Sequence, residues 1–480
     1  MLFLSDLYLI FILVTSLFYF SINNKYKSYV LFSSSIVFIA AISLKVTLFA
    51  LSFTIFNYFL GIMLDKFKDK QGIRVRLFWT SIVLDIGFLS FFKYFNFFSG
   101  SINSLFSVFG IQSQLPYLSV IIPIGISYYT FQALGYLIRI NRGSEKAEEN
   151  FVIFATYLLF FPKFLSGPVE RSNHFFPQMK KLGGFDRQGV DQGIRLFLWG
   201  LFKKIVIANN LYGPVSMVYS GVHQYSGISL IIILLVQTIY IYFDFSGYTD
   251  MALGSAKIFG INLIDNFNRP FLAKNISDFW RRWHISLSSW CNDFIYNPFI
   301  VKYRRYGNSA VIAGIFVTFF IVGIWHGANL TFVVLGVLQG IAIVYEFYTK
   351  RYRLKVAAKF SKSIVNTISR LIVYLFMSIS MVFFFSNSVA DAWYFLSHLF
   401  TGIHFDLKEL AFIKSKPEFL FALFCFVLLF IIEIFNEKGK NLLSYYLKQP
   451  VYIRWTGYLT CALLIYLFRS DIGTFYYMRF

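Results

Sequence analysis

The chain has 480 residues, of which 57% are hydrophobic and only 14% charged, where soluble domains carry about 25% charged residues. With a mean hydropathy of +0.63, this composition excludes a water-soluble globule. It predicts an all-α polytopic integral membrane protein, because backbone facing lipid must satisfy its own hydrogen bonds. The formal charge of +21 calls for no nucleic-acid partner, since basic loops on the inner side of a membrane account for it.

Apolar runs long enough to cross a hydrocarbon core of about 30 Å fall near residues 4–21, 28–43, 47–64, 77–98, 121–138, 192–211, 228–243, 309–325, 330–348, 364–386, 418–435 and 451–470. A shorter run, 151–161, ends at Pro162 and is re-entrant in character. About 11 to 13 transmembrane or re-entrant helices are expected in one membrane-embedded domain spanning residues 1–480. Residues 1–21 lack a basic start and a small-residue cleavage site, so they read as a first span rather than a cleavable signal. Cys291, Cys425 and Cys461 lie far apart, without metal-ligand spacing, so no metal is implied.

Loop charge sets the expected orientation. Residues 65–76 and 350–362 are rich in lysine and arginine, while 100–120 and 212–227 contain neither. The first pair is therefore expected in the cytoplasm and the second outside. Two further basic stretches, 171–204 and 265–308, carry the same sign. The second is the longest predicted non-helical excursion. Within it, Asn275 or Ser277 is suited to cap a helix, and helical spacing would set Trp280, Trp283, His284 and Leu287 on one face. Arg281 and Arg282 beside them are candidate phosphate ligands, although positive-inside topology alone explains any one such residue.

Polar groups inside apolar runs are the sites where function is expected. His326 ends such a run in Gly323-Ile324-Trp325-His326-Gly327-Ala328-Asn329. A near-neutral imidazole there suits general-base work; the competing reading is helix packing through Gly323 and Gly327. His284, in Ser277-Asp278-Phe279-Trp280-Arg281-Arg282-Trp283-His284, is a second candidate, against an interfacial aromatic belt as the plain alternative. Asp244 and Asp250 flank Gly247 and either line a polar cavity or end a helix.

Five blocks occur in order: residues 122–134 (Ile122 to Leu134, IPIGISYYTFQAL), Gly200-Leu201-Phe202-Lys203-Lys204, Tyr242-Phe243-Asp244-Phe245-Ser246-Gly247-Tyr248-Thr249-Asp250, and the two histidine blocks. Through them the chain resembles the membrane-bound O-acyltransferase (MBOAT) family, in particular its bacterial alginate-type polysaccharide O-acetyltransferases, over a motif-bearing core of about residues 120–345. The resemblance implies that His326 matches the catalytic histidine and His284 the second recurrent polar position. After Tyr296-Asn297-Pro298 the alginate-type enzymes usually continue with leucine and paired glycines, whereas this chain reads Phe299-Ile300. The acceptor is therefore not named by the resemblance.

The resemblance further implies a multi-pass enzyme of the bacterial inner (cytoplasmic) membrane, lodged in the lipid bilayer. It would move an acetyl group from cytosolic acetyl-CoA toward hydroxyls of an extracytoplasmic polysaccharide, such as an alginate-like exopolysaccharide or peptidoglycan. An extracytoplasmic acetyltransferase is the implied partner, and acetyl-CoA is a donor substrate rather than a tightly bound cofactor. Trp325, Trp283 or Asn329 would supply N–H groups to the oxyanion. A D-alanyl or lipid acyltransferase of the same superfamily would share His326. A transporter or flippase would instead show two similar halves, and no such repeat is seen.

Overall fold

The computed structural model describes residues 3–111, 114–117, 123–403 and 410–469. Ile122, residues 118–120 of the predicted outer loop, and His404 lie outside them. Among the described residues there is no sheet, only an isolated antiparallel bridge between Phe267 and Trp283. The helices group into two compact units, Met1–Phe197 with Met251–Asp265, and Leu198–Asp250 with Asn266–Phe480.

The first unit holds α1 (Asp6–Ser21), α2 (Lys27–Ala40), α3 (Leu44–Lys66), α4 (Gln71–Val108), α5 (Ile126–Asn141), α6 (Phe151–Leu159), α7 (Ser172–Met179) and most of α8 (Arg187–Phe202). The runs near 4–21, 28–43 and 121–138 thus form helices of 16, 14 and 16 residues. By contrast α4, at 38 residues, is about 57 Å long at 1.5 Å per residue. It carries helix through Gly100–Val108, where a loop was expected. Its basic start ties it to a neighbour. Arg74 donates hydrogen bonds to the carbonyls of Ile140 and Asn141 at the C-terminal end of α5, where a cation complements the helix dipole. The start of α5 needs Gly125, whose φ of 79° is left-handed and whose added Cβ would lie 2.3 Å from the Phe164 carbonyl oxygen.

The second unit holds α9 (Asn209–Ser220), most of α10 (Gly227–Ile258), α11 (Ile276–Trp280), α12 (Ile285–Cys291), α13 (Asn297–Tyr303), α14 (Asn308–His326), α15 (Leu330–Ala357), α16 (Lys362–Phe385), α17 (Val389–Ser397), α18 (Lys416–Glu437), α19 (Leu442–Leu447) and α20 (Val451–Leu467). The stretch 265–308, expected to be mostly irregular, is instead a chain of short helices; Asn275 does cap the first, accepting from the Asp278 N–H at 2.7 Å.

Among the described residues seven helices, α3, α4, α10, α14, α15, α16 and α18, are long and apolar enough to cross a membrane. The most apolar stretch of α10 is 78% buried, that of α4 only 17%. An apolar helix that is mostly exposed matches a lipid-facing position, since lipid tails are as apolar as leucine.

Helices α14 and α15 form a tight hairpin. A Cβ on Gly323 would meet the Phe332 carbonyl oxygen at 2.4 Å, and one on Gly336 the Phe319 carbonyl oxygen at 2.3 Å. Gly323 therefore does serve helix packing, as the plain reading of its motif held. That close approach fixes the end of α14, where His326 sits.

Candidate active site

His326 occupies the last turn of α14 and is 7% exposed. Its ring lies edge-on to Phe384 at 5.5 Å between centroids and to Trp325 at 4.9 Å, and roughly parallel to Phe332 at 6.3 Å. A small cavity of about 20 Å³ lies against it, lined by Trp280, Trp283, Ile241, Leu335, Met381 and Phe384 among others.

His284 is fully buried, and its imidazole lies 4.8 Å from the ring of Phe245 and 5.8 Å from that of Trp325. Both histidines therefore contact one indole. The expected continuous helix through Trp280 and His284 does not form. α11 ends at Trp280, and His284 takes a left-handed conformation (φ 45°, ψ 51°) before α12 begins. Such a backbone state is costly for a residue with a Cβ unless its surroundings impose it. Here residues 266–268 impose it. The Asn268 N–H donates to the Arg282 carbonyl at 2.9 Å, the Ile285 N–H donates to the Asn266 carbonyl at 3.0 Å, and the Asn266 side chain accepts from the Ser286 hydroxyl at 2.6 Å. His284 lies outside every membrane-length helix. Burial pushes its pKa well below the usual imidazole value, and His326 also opposes a positive charge there, so it stands neutral at pH 7.

The tryptophans divide the work. Trp283 stacks on Phe279 at 5.5 Å and packs edge-on against Phe267 at 5.1 Å. Trp280 donates its indole N–H to Gln339 Oε1 at 3.1 Å. It also lines a second, larger cavity of about 1390 Å³ whose wall includes Lys274, Arg281, Lys350 and Arg353. Trp280, Phe319 and Val322 line both cavities.

Several candidate residues hold the scaffold instead. Arg282 forms a two-pronged ion pair with Glu437 (2.9 and 3.3 Å) and bonds Asp278 at 3.2 Å, with 17% of its side chain exposed. A guanidinium committed to two carboxylates is poorly placed to take phosphate; Arg281, by contrast, has a 71% exposed side chain and a loose 3.8 Å contact to Asp278. Asn329 caps α15 by accepting from the Thr331 N–H at 3.0 Å and donates to the Asn387 carbonyl at 2.7 Å. One N–H of its amide is thus committed to a main-chain carbonyl.

Asp244 neither lines a cavity described above nor ends a helix. It sits inside α10, fully buried, in an ion pair with Lys204 on the π-helical turn Lys203–Ala208, while Lys203 pairs with Asp250 at 2.7 Å. Elsewhere in the basic stretch 171–204, Lys180 pairs with Glu148 at 2.6 Å and Arg195 with Asp191. Four of the seven cations of that stretch are thus paired with carboxylates.

Sequence reasoning missed Asn266, Gln339, Ser380, Lys350 and Arg353. The two basic residues were already explained as topology signals, and the three polar ones carry no motif; Gln339 and Ser380, buried inside apolar runs, were the available clue.

This arrangement can be set beside known proteins. The profile of the membrane-bound O-acyltransferase family matches residues 72–386. The chain is 30% identical over 395 residues to the probable alginate O-acetylase AlgI of Pseudomonas aeruginosa, covering 82% of this chain and 73% of that one. It is 29% identical over 472 residues to a peptidoglycan O-acetyltransferase of Helicobacter pylori, covering 89% and 86%. To a teichoic acid D-alanyltransferase of Bacillus subtilis it is 29% identical over 235 residues, covering 47% and 60%. With a buried His326 at the end of a glycine-packed helical hairpin, His284 beside the same Trp325, and a family match over most of its length, the chain belongs to the membrane-bound O-acyltransferase family and is a multi-pass O-acyltransferase.

Proposed function

We propose that the protein transfers an acetyl group from acetyl-CoA to hydroxyls of a cell-surface polysaccharide, with His326 as general base. The observation that carries this reading is the shared wall of Trp280, Phe319 and Val322. It stands between a large cavity edged by Lys274, Arg281, Lys350 and Arg353 and the small pocket against His326. The basic edge suits the phosphates of coenzyme A, and the narrow end suits the acyl thioester.

His326 takes the proton of the acceptor hydroxyl as the oxygen attacks the thioester carbonyl. The tetrahedral oxyanion then collapses, the C–S bond breaks, and the departing thiolate recovers that proton from His326. Neutral His284, sharing Trp325 with His326, keeps a second positive charge out of the pocket when His326 is protonated. Trp283 and Trp325 are the candidate oxyanion donors. The acceptor is read from the relatives, whose names specify alginate and peptidoglycan. With it come placement in the bacterial inner membrane and an extracytoplasmic acetyltransferase that completes delivery.

The test is to incubate membranes holding the protein with labelled acetyl-CoA and follow label into the glycan fraction. Label in glycan supports the reading. Label moving only from a D-alanyl donor would replace it with the chemistry named for the Bacillus relative.

A further inference from the structure

The pocket against His326, at about 20 Å³, exceeds by little the roughly 10–15 Å³ that one water needs. Its side walls are the apolar chains of Ile241, Leu335, Met381 and Phe384, and Trp280 closes it toward the larger cavity. The indole of Trp280 is fixed from behind. Its N–H donates to Gln339 Oε1 at 3.1 Å, the Gln339 amide donates to Ser380 Oγ at 3.0 Å, and that hydroxyl donates to the Met377 carbonyl at 2.9 Å. Gln339 and Ser380 are 1% and 0% exposed.

A polar chain of this kind, crossing α11, α15 and α16, is costly to bury unless each member is hydrogen-bonded. Removing Gln339 would therefore release the ring. The neighbouring wall is rigid for a separate reason: Trp280 lies edge-on to Phe319 at 5.2 Å, and the Phe319 backbone is pressed against Gly336, where a Cβ would come within 2.3 Å.

We infer that Trp280, held by Gln339 and Ser380, sets the length of the acyl chain that reaches His326, admitting two carbons and excluding longer chains. The inference rests on the acyl-CoA reading above. Each methylene that a closed apolar pocket must refuse is worth about 10- to 200-fold in specificity, so two of them separate butyryl from acetyl strongly.

The test measures kcat/KM for acetyl-, propionyl- and butyryl-CoA in membranes carrying the wild type, Trp280→Ala and Gln339→Met at matched inserted levels. The wild type is expected to favour acetyl over butyryl by at least ~100-fold, Trp280→Ala to raise the butyryl-to-acetyl ratio by at least ~10-fold, and Gln339→Met to raise it several-fold. If Trp280→Ala fails to insert, Gln339→Met carries the test alone. Acetyl transfer with unchanged ratios in inserted variants overturns this inference and leaves the donor reading standing. No transfer from any acyl-CoA by the wild type overturns both.

Discussion

The imidazole of His284 lies 5.8 Å, centroid to centroid, from the indole of Trp325, the residue immediately before His326. Two titratable rings thus share one aromatic neighbour in a buried site, and burial together with the neighbouring His326 opposes a positive charge on His284. His284 is held in a left-handed turn by Asn266, which points to a positioning role for it beside the base.

This arrangement has a pH signature. Because burial lowers the folded-state pKa of His284, the unfolded chain binds its proton first as pH falls. Stability is therefore present above the unfolded value of about 6.5 and is lost below it, by up to about 1.4 kcal/mol per pH unit for one such group. His284→Asn keeps a residue that tolerates the left-handed turn but removes the titration. Thermal unfolding in detergent at pH 7.5 and 5 is expected to show a smaller acid loss in the variant; equal losses would mean that His284 is not held neutral.

Arg281 and Arg282 are adjacent and are expected to behave differently. Arg281→Ala should raise the KM for acetyl-CoA with a smaller effect on kcat, and the difference should shrink as salt screens exposed charge. Arg282→Ala breaks the pair with Glu437 and should lower stability by roughly 1–2 kcal/mol while leaving KM close to wild type. Steady-state kinetics at two salt concentrations, with melting curves, checks both; the reverse pattern would move the donor site to Arg282.

The ion pair between Lys204 and Asp244 is buried on both sides. Lys204→Met alone removes the cation paired with the buried Asp244 carboxylate and should cost about 3–5 kcal/mol, whereas Lys204→Met with Asp244→Leu should recover much of that. Detergent melting temperatures of the single and double variants decide it. A double variant as unstable as the single one would give Asp244 a role beyond the pair.

Much of this was legible in the sequence and some of it was not, for physical reasons. Polar groups such as His326 stand out in an apolar run because lipid makes them costly, and the all-α class follows from the same solvent. Helical periodicity could not reveal the left-handed turn at His284, because Asn266, on a separate stretch of chain before α11, imposes it. Nor does Arg282 announce a partner 155 residues away on α18. Lys204 and Asp244 were visible as charges, but a pairing across 40 residues belongs to tertiary packing. Loop charge was explained so fully by topology that the shared cavity of Arg281, Lys350 and Arg353 left no separate mark.

Those same charges predict the side from which the proposed donor enters. Residues 350–362 carry six lysines and arginines and no acid, so the positive-inside rule predicts them in the cytoplasm. Single cysteines placed at Lys355 and at Gln114, probed on intact cells with an impermeant thiol reagent, should label only at Gln114. Labelling at Lys355→Cys would invert the map and the entry side with it.

The central assignment is His326 as the base for acyl transfer, and its most direct measurement compares wild type with His326→Gln, inserted at equal levels, for transfer of labelled acetyl from acetyl-CoA to glycan. Loss of a general base predicts a fall of about 100- to 10,000-fold, with insertion unchanged because one polar side chain adds only about 1 kcal/mol to helix association. A variant that inserts normally and transfers label at the wild-type rate would contradict it.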